Sequence, residues 1–127
     1  MSLSLLLDTQ ALLWWLADDP ALTPAARTAL RAAGTPVFVS AATAWEISLK
    51  QALGKLESPD DLETALAASR FQPLLITVAH ALAAGRLPRH HDDPFDRILI
   101  AQAQYAQLTV VTHDPQFHLY DVAILWA

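Results

Sequence analysis

The sequence contains no cysteine, which excludes disulfides, thiolate catalysis and cysteine-ligated zinc. Glycine is nearly as scarce. Gly34, Gly54 and Gly85 each follow a helical run, the position where a left-handed residue ends a helix, so no glycine-rich loop is left to cradle phosphate. Long apolar runs are missing as well. Ala11 to Ala17 falls far short of the roughly 20 residues that a bilayer requires, and the apolar start Leu5-Leu6-Leu7 has no basic flank and stops at Asp8, unlike a signal peptide. Charged residues make up only 17% and apolar residues 54%, so much of the chain is core, and part of its surface is expected to cover a partner. These absences predict a soluble, cytoplasmic protein without a membrane association. Residues 1–127 are long enough for one self-supporting domain.

What is present is a repeated ending. Leu5-Leu6-Leu7-Asp8-Thr9 and Val110-Val111-Thr112-His113-Asp114 are short apolar runs that close on an aspartate. Such runs read as buried parallel strands, and open α/β sheets collect ligands outside the carboxyl ends of their strands. The remaining punctuation alternates. Helices are expected from Thr9 to Ala17, from Pro24 to Ala33 after the Thr23 cap, from Ala41 to Leu53, from about Asp61 to Ser69, from Val78 to Ala84 and from Pro94 to about Ala106. Strands are expected at 36–40, 74–76, 109–111 and 121–125. Strands separated by helices imply an α/β fold with a parallel sheet covered on both faces.

Four acids, spread over the chain, would gather at one edge of that sheet: Asp8, Glu46, Asp96 and Asp114. Each also has an ordinary structural role. Asp8 and Asp114 can cap the helices that follow, Asp93 before Pro94 is a helix cap, Asp96 sits in that helix's first turn, and Glu46 can pair with Lys50 one turn on. Capping and metal binding are compatible, because a cap uses one carboxylate oxygen. On the helix carrying Glu46, the residues Trp45, Leu49 and Ala52 are expected to face the core, with the acid beside them. Oxygen-only donors suit Mg2+ or Mn2+ and not zinc. Carboxylates holding such ions polarise a scissile phosphate and lower the pKa of an attacking water. Thr9 and Thr112 flank the strand-end acids, where their hydroxyls can orient a carboxylate or a water.

The net charge of −5 looks unfavourable for nucleic acid. Bound cations reverse the local field, so an acidic chain does not exclude a phosphodiester substrate. Arg86, Arg89, His90, His91 and Arg97 form the one basic concentration and are candidates to grip a phosphate backbone. The His90-His91-Asp92-Asp93 run also suggests a metal-dependent phosphohydrolase of small nucleotides, although the folds that carry a His-Asp doublet are all-helical. Trp14, Trp15, Trp45 and Trp126 are expected to pack in the core or on a dimer face. Ser40 and Ser48 lack the setting of a serine nucleophile.

The segments Leu5-Leu6-Leu7-Asp8-Thr9, Ala44-Trp45-Glu46-Ile47, Asp93-Pro94-Phe95-Asp96-Arg97 with Ile98-Leu99-Ile100-Ala101-Gln102-Ala103, and Val111-Thr112-His113-Asp114 occur in the order and spacing of PIN-domain proteins. The chain resembles VapC-type toxins of bacterial toxin-antitoxin systems over essentially its whole length. That resemblance implies a single-domain α/β/α sandwich with a central parallel sheet. It also implies a Mg2+- or Mn2+-dependent endoribonuclease whose acidic tetrad is Asp8, Glu46, Asp96 and Asp114, with Asp93 and Thr112 at accessory positions. Relatives of this kind are usually homodimers inhibited by a cognate antitoxin, and those that cut structured RNA act on tRNA or ribosomal RNA. The sequence departs from close relatives at Gln10, often histidine, and at His113, often a small residue. A PIN module that holds RNA or an antitoxin without turnover is the alternative outside enzymes.

Overall fold

A computed structural model describes residues 3–127. Five parallel strands form one sheet in the order β3-β2-β1-β4-β5: β1 (Leu5–Leu7), β2 (Val37–Ser40), β3 (Gln72–Leu74), β4 (Thr109–Thr112) and β5 (Ala123–Trp126). The chain lays β2 and β3 on one side of β1, then returns to place β4 and β5 on the other. The resulting reversal lies between β1 and β4, where Leu5 pairs with Thr109 and Leu7 with Val111. A crevice opens outside the carboxyl ends of the strands at such a reversal.

Six helices cover the sheet: α1 (Thr9–Leu16), α2 (Pro24–Arg31), α3 (Ala41–Ala52), α4 (Leu62–Ala68), α5 (Val78–Arg86) and α6 (Pro94–Ala106). Strand alternation sorts the core into two halves. Leu5 and Leu7 point to one side and pack with Val37, Val39, Leu12, Ala26, Leu30 and Ile47. Leu6 points to the other and packs with Val110, Leu99, Ile100, Ala103 and Phe117. All three β1 leucines are fully buried, which is why this strand is a continuous apolar run and not an alternating one.

The helix ends follow the chemistry expected of them. Thr23 and Asp93 cap α2 and α6 ahead of a proline, and Asp61 caps α4. Gly54 stops α3 at φ +70, and Gly34, also at positive φ, follows α2. Gly85 departs from expectation: it lies inside α5, whose cap is Leu87 before Pro88. The left-handed residue ending α6 is Gln107, not a glycine. β3 begins two residues earlier than its apolar side chains suggest, and Asp121 lies before β5.

The largest correction concerns α3. Its buried seam is Ala42, Thr43, Glu46 and Ile47, whereas Trp45 and Leu49 are exposed and Ala52 also faces solvent. The helix therefore turns a carboxylate inward and an indole outward, the reverse of hydropathy, and Trp45 rests edge-on against Phe95.

Leu6 reads out the central strand. Leu6→Ala is expected to lower unfolding free energy by about 2–5 kcal/mol, the usual cost of truncating a fully buried leucine, in chemical denaturation; a loss under about 1 kcal/mol would contradict the packing described.

Candidate functional site

Four elements deliver the four acids to one groove. Asp8 follows β1 and caps α1, its Oδ1 accepting from the Ala11 amide at 2.8 Å and its Oδ2 from the Thr112 hydroxyl at 2.6 Å. Thr112 ends β4 and also accepts from the Asp114 amide at 3.0 Å, so one hydroxyl ties the two strand-end acids together. Asp114 caps the short 3-10 turn Pro115–Leu119 by accepting from the Gln116 amide. Glu46 comes from the buried seam of α3, where the Thr9 hydroxyl donates to Oε1 and Lys50 Nζ donates to Oε2 at 2.6 Å. Asp96 lies in the first turn of α6; its amide donates to Asp93 Oδ1, and His91 Nε2 lies 3.2 Å from its Oδ2.

The groove has a volume of about 380 Å3 and is lined by the four acids and Asp93; among the described residues, Lys50 is its only lining lysine or arginine. Burial and the neighbouring negative charges raise the pKa values of Asp8 and Asp96. Asp8 reaches about 6, chiefly through desolvation, against which the Thr112 and Ala11 hydrogen bonds act. Asp96 reaches about 8, through desolvation first and then through Asp93, Asp8, Asp114 and Glu46. Lys50 is held above its usual value, mainly by its hydrogen bond with Glu46.

The donor set fits a hard divalent cation. All the candidate ligands are carboxylates, one lysine leaves the charge largely uncompensated, and each oxygen of Asp8 retains a lone pair beyond its present bond. Among the described residues, however, no three acidic or histidine side chains close into a ready cage. Each carboxylate instead leans on its own hydrogen-bond donor, as mutual repulsion favours.

The capping roles and the shared groove coexist, because a single bond does not exhaust a carboxylate. Thr9 and Thr112 each donate to a carboxylate of the groove. Of the basic group, Arg86, Arg89 and His90 are exposed, and Arg89 reaches Asp92 only at 3.9 Å. Arg97 is engaged elsewhere. It donates to the carbonyls of Ala84, Leu87, Pro88 and His91 and to the Tyr120 hydroxyl, which pins the loop before α6. Sequence reasoning did not find Tyr120, because nothing in the chain near position 120 signals a contact 29 residues away with His91.

Fold and site together define an α/β protein with an acidic groove at the topological reversal of a five-stranded parallel sheet. Residues 5–123 match the PIN domain, and the chain belongs to that family. PIN domains are generally nucleases and typically use divalent metal ions. No curated protein matches the sequence. Among solved structures, the chain is similar to VapBC2 from Rickettsia felis bound to a DNA fragment from its promoter, with 13% identity, TM-score 0.72, and 98% of this chain and 100% of that one covered. It is also similar to DNA-bound VapBC from Salmonella typhimurium, with 20% identity, TM-score 0.69 and 97% of each chain covered. FitAcB from Neisseria gonorrhoeae gives 22% identity, TM-score 0.62 and 96% of each chain. Among the described residues no helix is long and apolar enough to cross a membrane.

The raised acids give a signed pH dependence. Both pKa values exceed 3.8, so the folded state binds the extra protons, and the stabilisation present at low pH is lost as pH rises through about 6 for Asp8 and about 8 for Asp96. With chelator present, the melting temperature should therefore fall between pH 5 and pH 9. Asp96→Asn should flatten the upper part of that decline; an unchanged slope in this variant would show that Asp96 is not the titrating group.

Proposed function

We propose that the protein is a divalent-metal-dependent endoribonuclease, the toxin of a toxin-antitoxin pair, with residues 1–127 acting as one nuclease domain in the cytoplasm. The observation that carries this reading is the convergence of Asp8, Glu46, Asp96 and Asp114, from four different elements, in one groove of a PIN domain. Those four side chains would hold Mg2+ or Mn2+, with Asp93 as an accessory acid. When bound, the ion supplies charge stabilisation at a scissile phosphate and a lowered pKa for water.

The chain's own groups prepare that site. Thr112 fixes Asp8 and, through its amide partner, the backbone of Asp114; Thr9 fixes Glu46. Lys50 offsets part of the negative charge at the Glu46 side. Exposed Arg86, Arg89 and His90 would meet the RNA backbone, where their contacts would position the substrate without reading its bases. A tRNA or ribosomal RNA loop is the proposed substrate class.

Partner binding has its own support. Trp45, Leu49 and Leu53 form an exposed apolar row on α3 and just beyond it, and Leu75, Val78 and Leu82 form another on and before α5. Such surfaces are costly to leave in water. They suit an antitoxin and a second copy of the chain, and the similar VapBC structures are themselves toxin-antitoxin complexes. The small-nucleotide phosphohydrolase reading has no comparable support. His91 has both ring nitrogens engaged, by Tyr120 and Asp96, and the parallel sheet is foreign to an all-helical fold.

Purified protein should cut a mixed total-RNA substrate with Mg2+ or Mn2+, and chelator should stop it. Asp8→Asn keeps an oxygen to cap α1 and removes a buried charge, at the loss of the acceptor for the Thr112 hydroxyl, so this variant should remain folded at pH 8 while its cleavage falls to background. Cleavage by Asp8→Asn at the parental rate would overturn the tetrad, and metal-independent RNA binding without cleavage would favour the non-catalytic module.

A further inference from the structure

The loop before α6 carries a hydrogen-bond chain that ends on Asp96. Tyr120 Oη accepts from the His91 backbone amide at 3.3 Å and, in a three-centre bond shared with the His91 carbonyl, from Arg97 Nη1 at 3.3 Å. A phenol oxygen with both acceptor positions taken must place its own proton on an acceptor, and His91 Nδ1 lies 2.7 Å away, much nearer than the His91 carbonyl at 3.5 Å. Nδ1 therefore accepts. The neutral ring carries its proton on Nε2, 3.2 Å from Asp96 Oδ2, and donates to it.

The chain is held rigidly. The His91 side chain is 8% exposed and Tyr120 is 7% exposed. The rings of His90 and His91 pack on Tyr120 at 4.9 and 5.4 Å between centroids. Arg97 clamps four carbonyls of residues 84–91, and Asp93 fixes the Asp96 amide from the other side. Among the described residues, Asp96 Oδ1 accepts no hydrogen bond.

We propose that His91 is a positioning residue: its Nε2 proton holds Asp96 Oδ2 and thereby presents Oδ1 to the groove, with Tyr120 and Arg97 setting the tautomer. A neutral donor suits this place better than a lysine or arginine. It fixes the carboxylate without cancelling the negative charge that a divalent cation needs, in contrast to Glu46, whose partner is Lys50. The proposal rests on the reading of Asp96 as a metal ligand. It assigns His91 a use distinct from ligating a cation or gripping phosphate.

The test is calorimetric titration of Mn2+ into the parent, His91→Leu, His91→Gln, Tyr120→Phe and Asp96→Asn, with melting temperature measured on each. His91→Leu should weaken Mn2+ binding about 10- to 100-fold, the usual effect of losing a group that orients a ligand. His91→Gln, whose amide can donate from near the Nε2 position, should recover most of that loss. Tyr120→Phe, which keeps the ring and removes the proton that sets the tautomer, should fall between them. If His91→Leu does not fold, Tyr120→Phe carries the test. Parental affinity in a folded His91→Leu or, failing that, in Tyr120→Phe would overturn the proposal, and so would equal weakening in His91→Gln and His91→Leu. A parent that binds no Mn2+, or an Asp96→Asn that binds as tightly as the parent, would instead overturn the ligand reading beneath it.

Discussion

The burial of carboxylates beside one another is the constraint around which this molecule is arranged. Asp8, Glu46, Asp93, Asp96 and Asp114 share one groove with Lys50, and the cost appears in Asp8 and Asp96, whose proton affinities are raised above those of ordinary aspartates by desolvation first and by the neighbouring carboxylates after it. A fold does not concentrate like charge for its own stability. In the proposed function a cation, or protons in its place, would neutralise the cluster. Each acid meanwhile leans on a separate donor: Thr112 and a helix amide for Asp8, Thr9 and Lys50 for Glu46, His91 for Asp96.

The scaffold explains how such a cluster is tolerated. Strands β1 and β4 are fixed side by side by backbone pairing and by leucine and valine packing on both faces, so Asp8 and Asp114 are carried to the crevice by buried strands. Helix starts supply the rest. Asp8 and Asp93 cap α1 and α6, and Asp96 lies in the first turn of α6, where backbone amides and the helix dipole favour negative charge. The same residues thus end strands, begin helices and build the groove.

Much of this was legible in the chain. Apolar runs closing on Asp8 and Asp114 gave the parallel strands and their carboxyl ends, and Thr23-Pro24 and Asp93-Pro94 marked helix starts to the residue, because these signals are local. The seam of α3 was not legible from hydropathy. Trp45 and Leu49 are the apolar choices for an inward face, yet Glu46 turns inward, received by Thr9 and Lys50; the Lys50 pair is readable from its spacing one turn on, whereas the Thr9 contact is not visible without the fold. Gln107 in a left-handed cap and Gly85 inside α5 similarly defeat the rule that glycine ends helices. Tyr120 escaped notice for a different reason. Its role depends on β4 and the turn after it bringing it back against His91, a long-range event with no sequence signature.

The central claim is that the acids of the groove await a cation, and proton release tests it most directly. Mn2+ would be titrated calorimetrically into the protein at several pH values, each in two buffers of different ionisation enthalpy. Because Asp96 holds its proton up to about pH 8, binding at pH 7 should release close to one proton per ion, and the release should fade above pH 9 and grow toward pH 6 as Asp8 joins. Absence of Mn2+ binding, or binding without any buffer-dependent heat across that range, would contradict the account.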